Sequence, residues 1–172
     1  MKKFAAVICA LCIAYLSIGA SINAVDLAEN THLQNPVSVC YDGVSVYVAD
    51  SNDDSGFVYV FSPDGLNSVN FDAAIIKIRV SEGKLYAMSK DIMSIYDLQQ
   101  ETFLNIPATE IKDFEINENK LYALFPDCIR EITVANLQTA DLNEQGRKTT
   151  VNSDTSKIAI DGEDIYYLTE NE

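Results

Sequence analysis

The chain has 172 residues, 48% of them hydrophobic, and 26 acidic against 12 basic side chains give a formal charge of −14. This composition excludes a disordered or collagen-like chain. The acidity also removes the cationic footprint that binding to nucleic acid or anionic lipid requires. Four cysteines over this length do not make a disulfide scaffold.

The first element is a leader. Lys2 and Lys3 precede an apolar run from Phe4 to Ile18, and Gly19, Ala20, Ser21 and Ala24 supply small residues after it. That layout predicts a secretory signal peptide over residues 1–24, cleaved between Ala20 and Ala24, and hence a secreted or cell-surface protein. The run is short for a membrane span, so no stable membrane insertion is expected after cleavage; an uncleaved anchor is the alternative. Cys9 and Cys12 form a CxxC inside this apolar stretch, where neither redox nor zinc chemistry has polar support. Residues 25–35 read as a polar linker. It contains His32, the chain's only histidine.

From residue 36 onward the chain repeats itself. Asp42-Gly43 precedes Val46-Tyr47-Val48-Ala49, Glu82-Gly83 precedes Leu85-Tyr86-Ala87-Met88, and Glu118-Asn119 precedes Leu121-Tyr122-Ala123-Leu124. A fourth copy places Asp161-Gly162 before Ile165-Tyr166-Tyr167-Leu168, and the four tyrosines lie 39, 36 and 44 residues apart. An acidic residue followed by Gly or Asn suits a tight hairpin, which needs positive φ. Each turn follows an alternating strand: Val37, Val39 and Tyr41; then Ile76, Ile78 and Val80; then Phe114 and Ile116; then Ile158 and Ile160. A period of two marks half-buried strands. Third strands are expected at Phe57–Phe61, Met93–Leu98 and Ile129–Val134, and weaker fourth strands at Ser68–Phe71 and Phe103–Ile106. Ile92–Leu104 has helical propensity, but the repeat register outweighs so weak a preference.

Repeats of about 40 residues with four antiparallel strands each point to β-propeller blades. The first unit reads Pro36-Val37-Ser38-Val39-Cys40-Tyr41-Asp42-Gly43, then Val46-Tyr47-Val48-Ala49-Asp50-Ser51, then Val58-Tyr59-Val60-Phe61-Ser62-Pro63-Asp64-Gly65. Over residues 36–65 this resembles an NHL-type propeller repeat; the later units keep only the turn and the tyrosine. The resemblance implies a fold and carries no activity with it. The expected architecture is therefore all-β: an incomplete, open propeller of about three and a half four-stranded blades. The blades are expected at 36–74, 75–110, 111–153 and, in part, 154–172.

Catalytic constellations are sparse. His32 is a bystander in a polar linker more readily than a triad member, and a zinc site would have to rest on carboxylates alone. Cys40 and Cys128 sit at strand-like apolar positions and read as inert core thiols. A disulfide between them is open to an exported chain, but the blade arrangement would hold them apart. Nine tyrosines in a β-rich chain need only the β-preference of tyrosine.

One loop has metal-ligand spacing. Asp50, Asn52 and Asp54 put oxygens at alternate positions, as a calcium loop does, although Gly56 falls one position late and Phe61 stands where a bidentate Glu belongs. A polar turn is the simpler reading, and calcium is kept as the only cofactor candidate, at about 10⁻⁴–10⁻³ M. The second-to-third strand loops of successive blades open on one face, which brings Asp53, Asp91 and Asp127 together with Asp72, Glu110 and Asp154 of the blade connections. Such a face could hold cations or a basic partner. It could equally be the solubilising surface of a very acidic protein.

A binding or scaffold module recognising a protein or carbohydrate through its blade loops follows from these features. The alternatives are a structural repeat protein, and a non-catalytic part of a larger exported enzyme whose active site lies beyond residue 172. A partial fourth blade further predicts that Val37, Val39 and Tyr41 at one end, and Ile158, Ile160, Tyr166 and Leu168 at the other, remain exposed. Self-association through open blade edges is the corresponding expectation.

Overall fold

The structure, a computed structural model, describes residues 33–169. The predicted leader, Cys9, Cys12, His32 and most of the linker lie outside these residues. Four antiparallel sheets follow one another in the chain. The first contains β1 (Pro36–Tyr41), β2 (Val46–Ser51), β3 (Gly56–Ser62) and β4 (Gly65–Phe71), and the second β5 (Lys77–Ser81), β6 (Lys84–Met88), β7 (Ile92–Asp97) and β8 (Thr102–Pro107). The third contains β9 (Asp113–Asn117), β10 (Lys120–Leu124), β11 (Cys128–Thr133) and β12 (Arg147–Thr150); the fourth is the hairpin β13 (Thr155–Asp161) and β14 (Asp164–Thr169). Within each sheet the strands pair in sequence order, so every neighbour is reached by a short turn.

The repeated acidic residues build those turns. Glu82 and Gly83 both take positive φ, 49° and 72°, and Glu118 does so at 52°, the backbone that lets a two-residue hairpin follow the strand twist. Asp42 works differently: its Oδ1 accepts the N–H groups of Val44 (2.8 Å) and Ser45 (2.7 Å). The stretch Ile92–Leu104 is strand, not helix, with Tyr96 opposite Phe103 in the pairing of β7 with β8.

The first strands of the sheets lie side by side, and their cross-links show their direction. The Ile78 N–H donates to Ser38 Oγ (3.1 Å), Lys77 meets Asp113 (2.7 Å) and Arg79 meets Glu115 (2.6 Å). Further on, the Ile158 N–H donates to Asp113 Oδ2 (3.0 Å) and the Asn117 amide donates to the Gly162 carbonyl (2.7 Å). Residue numbers rise together along each pair, so β1, β5, β9 and β13 run parallel and side by side. All second-to-third strand loops therefore open at one end.

Alternate residues of the second strands face opposite neighbours. Leu85 and Ala87 join Tyr47 and Ala49 in the core between the first two sheets. Tyr86 and Met88 join Phe114, Leu121 and Ala123 between the second and third, and Tyr122 and Leu124 join Ile129 and Ile158 between the third and fourth. Thus the repeated tyrosine of each of the first three sheets points forward, toward the next sheet.

One expectation needs correction. Ile158 and Ile160 do not stay exposed: Ile158 is buried among Tyr122, Leu124 and Ile129, and Ile160 packs against that group. They lie on the backward side of the hairpin, where Tyr167 opposite Ile158 stays exposed, and the forward side is bare at Tyr166 and Leu168. The third sheet has the four strands expected of it; the fourth, β12, lies where no apolar pattern marked a strand. Its entry is shaped by Gly146 (φ 67°), where a Cβ would come within 2.3 Å of the Glu131 carbonyl oxygen, so only glycine fits.

Candidate binding surface

The end where the second-to-third strand loops open carries the acidic residues singled out above. Asp50 is buried, and its two carboxylate oxygens accept the N–H groups of Gln34 and Asn35, both at 2.6 Å. Asn52 Oδ1 accepts the N–H groups of Asp54 (3.1 Å) and Ser55 (2.9 Å), which makes the loop an Asx turn. Asp50 and Asn52 are thus held by separate hydrogen-bond sets, and Asp54 is exposed beside them. Among the described residues no group of three or more His, Cys, Asp or Glu side chains is placed to hold a metal ion.

Asp53, Asp91 and Asp127 lie at this same end, but they differ in charge environment. The Asp127 carboxylate is paired with Lys148 of β12 at 2.8 Å, and the Lys148 hydrogen bond holds it below the ordinary carboxylate range. Asp53, Asp54 and Asp91 are exposed and make no ion pair among the described residues. Of the loop acids Asp53, Asp91 and Asp127, only the one on the third sheet is neutralised. The opposite end is acidic as well, with Asp64, Glu82, Glu101, Glu118 and Glu163 all exposed. Charge alone does not single out either end.

Shape does. Between the first and second sheets lies a cleft of about 290 Å³ lined by Phe71, Ile92 and Phe103 together with Asn70, Asp72, Ser94 and Asn105. Phe71 and Phe103 meet edge to face at 5.3 Å, and the Tyr96 ring packs tilted against Phe103 at 4.7 Å. Asp91 precedes Ile92 directly, so the cleft opens beside the acidic loops. A second cleft, of about 210 Å³, lies between Ile95, Phe103 and Leu104 on one side and Val134 and Leu137 on the other. Its charged residues, Lys84 and Asp97, neutralise each other at 2.7 Å, and the Lys84 hydrogen bond brings Asp97 down to about 2.

Most buried ionisable groups are committed to the fold. Lys77 bridges Asp113 and Glu115 at 2.7 and 2.6 Å, and Arg79 forks onto Glu115 at 2.6 Å. Burial raises the Cys40 thiol to about 12, against a smaller pull from Arg79, which leaves it a poor nucleophile. Burial likewise raises the Cys128 thiol, and both cysteines are free, on β1 and β11 of separate sheets.

No family model matches the chain, and no curated protein matches it. Solved structures do. The N-terminal domain of Nup159 is similar at TM-score 0.52 and 14% identity, covering 76% of this chain and 37% of that one. A chain in the structure of S. cerevisiae Dbp5 bound to Nup159 and Gle1 is similar at TM-score 0.55 and 12% identity, covering 83% and 42%. Kluyveromyces lactis Hsv2 follows at TM-score 0.50 and 15% identity, covering 80% and 42%. The fold is an open β-propeller. The chain spans about two fifths of the length of these structures, and at such low identity the likeness speaks to fold alone.

Proposed function

We propose that this chain is an exported binding scaffold that takes a basic segment of a partner protein at the cleft between its first two sheets and performs no chemistry there. The observation that carries the reading is the make-up of that cleft: the apolar side chains of Phe71, Ile92 and Phe103 line it together with the carboxylate of Asp72. A lysine or arginine side chain has matching halves, an aliphatic stem that packs on apolar surface and a cation that seeks carboxylate and ring faces. Asp53, Asp54 and Asp91 add negative potential at the mouth, which speeds encounter with a cationic ligand. Partner binding is also what one similar structure is named for, an assembly with Dbp5 bound to Nup159. Export rests on Lys2, Lys3 and the apolar run that follows, and the NHL-type likeness rests on residues 36–65. No helix among the described residues is long and apolar enough to cross a membrane.

Fluorescence anisotropy with a lysine- and arginine-rich peptide, an acidic peptide and a labelled oligosaccharide tests this reading. The basic peptide should bind, should weaken as salt rises, and should lose about fivefold in affinity, roughly 1 kcal/mol, with Asp72→Asn and again with Phe103→Ala. Equal binding of the acidic peptide, or preference for the oligosaccharide, would overturn it.

A further inference from the structure

The second sheet has a neighbouring sheet on each side, and its outer strand β8 is an open edge. No strand lies beyond β8 among the described residues, and Thr102, Phe103, Asn105 and Pro107 are exposed. The Ala108 N–H donates to the Asp91 carbonyl (2.8 Å), one step beyond the Ile92–Pro107 pair. Hydrogen-bonded and non-bonded pairs alternate along an antiparallel ladder. Ile92–Pro107, Ser94–Asn105 and Tyr96–Phe103 are therefore the non-bonded pairs, so Phe103 and Asn105 turn their N–H and C=O groups away from β7. Pro107 has no N–H, which ends the row of outward donors.

The two clefts flank this edge, and Phe103 lines both. Asn105, Ile92 and Ser94 belong to the cleft toward the first sheet, and Thr102, Leu104 and Ile95 to the cleft toward the third. A strand added to β8 would continue this alternation. Its residues opposite Phe103 and Asn105 would reach the first cleft, and the residue between them, opposite Leu104, the second. The two clefts differ in charge. Asp72 in the first is exposed and makes no ion pair among the described residues. In the second, Lys84 and Asp97 neutralise each other at 2.7 Å beside Leu104, Val134 and Leu137. Neither other outer strand of a four-stranded sheet offers both: β4 borders the first cleft alone, and β12 carries the cations Arg147 and Lys148.

We propose, on the footing that the first cleft takes a basic segment, that this segment docks on β8 as an added antiparallel strand reading basic, aliphatic, basic. Main-chain hydrogen bonds to Phe103 and Asn105 hold the strand, and the two clefts read its alternate side chains. The stem of the arginine or lysine packs on Phe103 with its cation toward Asp72. The aliphatic side chain lies against Leu104, Val134 and Leu137, where the paired Lys84 and Asp97 leave no net charge to attract a cation.

The test uses the full chain and the labelled peptide Gly-Ser-Arg-Val-Arg-Ser-Gly at up to millimolar concentration, read by anisotropy. Near-UV circular dichroism checks that each variant stays folded. Methylating both arginine backbone nitrogens should abolish binding, because those N–H groups donate to β8. Methylating the valine nitrogen, which points to solvent, should leave affinity nearly unchanged. Serine in place of the valine should weaken binding about fivefold. Leu137→Ser should weaken the valine peptide by a similar factor and leave the serine peptide unaffected. Equal loss on methylation at either position, loss at the valine alone, or indifference to Leu137→Ser would overturn the proposal. Should the peptide bind through Asp72 yet show that indifference, strand docking fails while the basic-segment reading stands. Should no basic peptide bind, both fail.

Discussion

The junction between the second and third sheets and the one between the third and fourth use the same repeat residues to different effect. The former buries fourteen residues in one cluster, including Phe114, Phe125, Met93 and Leu142, beside the Lys77, Asp113, Glu115 and Arg79 network. The latter buries four, Tyr122, Leu124, Ile129 and Ile158, with Ile160 and Ile165 only partly covered. A four-stranded sheet meets another across its whole width, while a hairpin meets only its inner half. In repeat folds, where stability comes largely from neighbour interfaces, the fourth sheet should be the first part to open.

Truncating Phe114, the buried centre of the larger junction, sharpens this contrast most: Phe114→Ala should cost about 4 kcal/mol in denaturant unfolding. Asp113→Ala follows, at about 3 kcal/mol. It removes a carboxylate only 1% exposed that serves both the Lys77 ammonium and the Ile158 N–H. Ile158→Ala at the smaller junction should cost about 2 kcal/mol, because a hairpin backed by solvent relaxes into the space more easily than a packed sheet. Hydrogen exchange would show the same order, with β13 and β14 amides exchanging before those of β9–β11. Equal protection of the two regions would break the comparison.

Alkali offers a subtler probe of the larger junction. Burial, with a smaller push from Glu82, raises the Tyr86 hydroxyl to about 12, from an ordinary value near 10. Its contribution is thus fully present below pH 10 and is lost as pH rises toward 12, because the unfolded tyrosine ionises first. Urea midpoints measured between pH 8 and 12 should fall in the upper part of that range, and Tyr86→Phe should flatten the fall. The smallest effect is expected at the bare forward side: Leu168→Asp should change stability by less than about 0.5 kcal/mol, since the side chain is already in water.

Much of this architecture could be read from the chain before folding. The acidic turn and the aliphatic-Tyr-apolar strand recur in all four sheets, and β1–β11, β13 and β14 fall close to their expected places. The strand β12 escaped because it is an outermost strand: Arg147, Lys148, Thr149 and Thr150 are all exposed, so no apolar face imposes alternation on them. With β12 hidden, the Lys148 partner of Asp127 was hidden too, and Asp127 read as free acid. The acidic loops were visible as loops, yet the cleft beside them was not, because Phe71 and Phe103 belong to different sheets and meet only when those sheets pack.

Local residue order determined the strands, their turns and the number of sheets, since hairpin pairing depends on neighbours a few residues away and on a side-chain period of two. That period reveals two sides without naming which meets the sheet before and which the sheet after. Packing alone decided that the repeated tyrosine looks forward, that Ile158 is covered while Tyr166 is bare, and that Lys77 finds Asp113 across 36 residues. Such contacts are set by how whole sheets stack, because a side chain's burial depends on which surface lies opposite it and not on its neighbours in the chain.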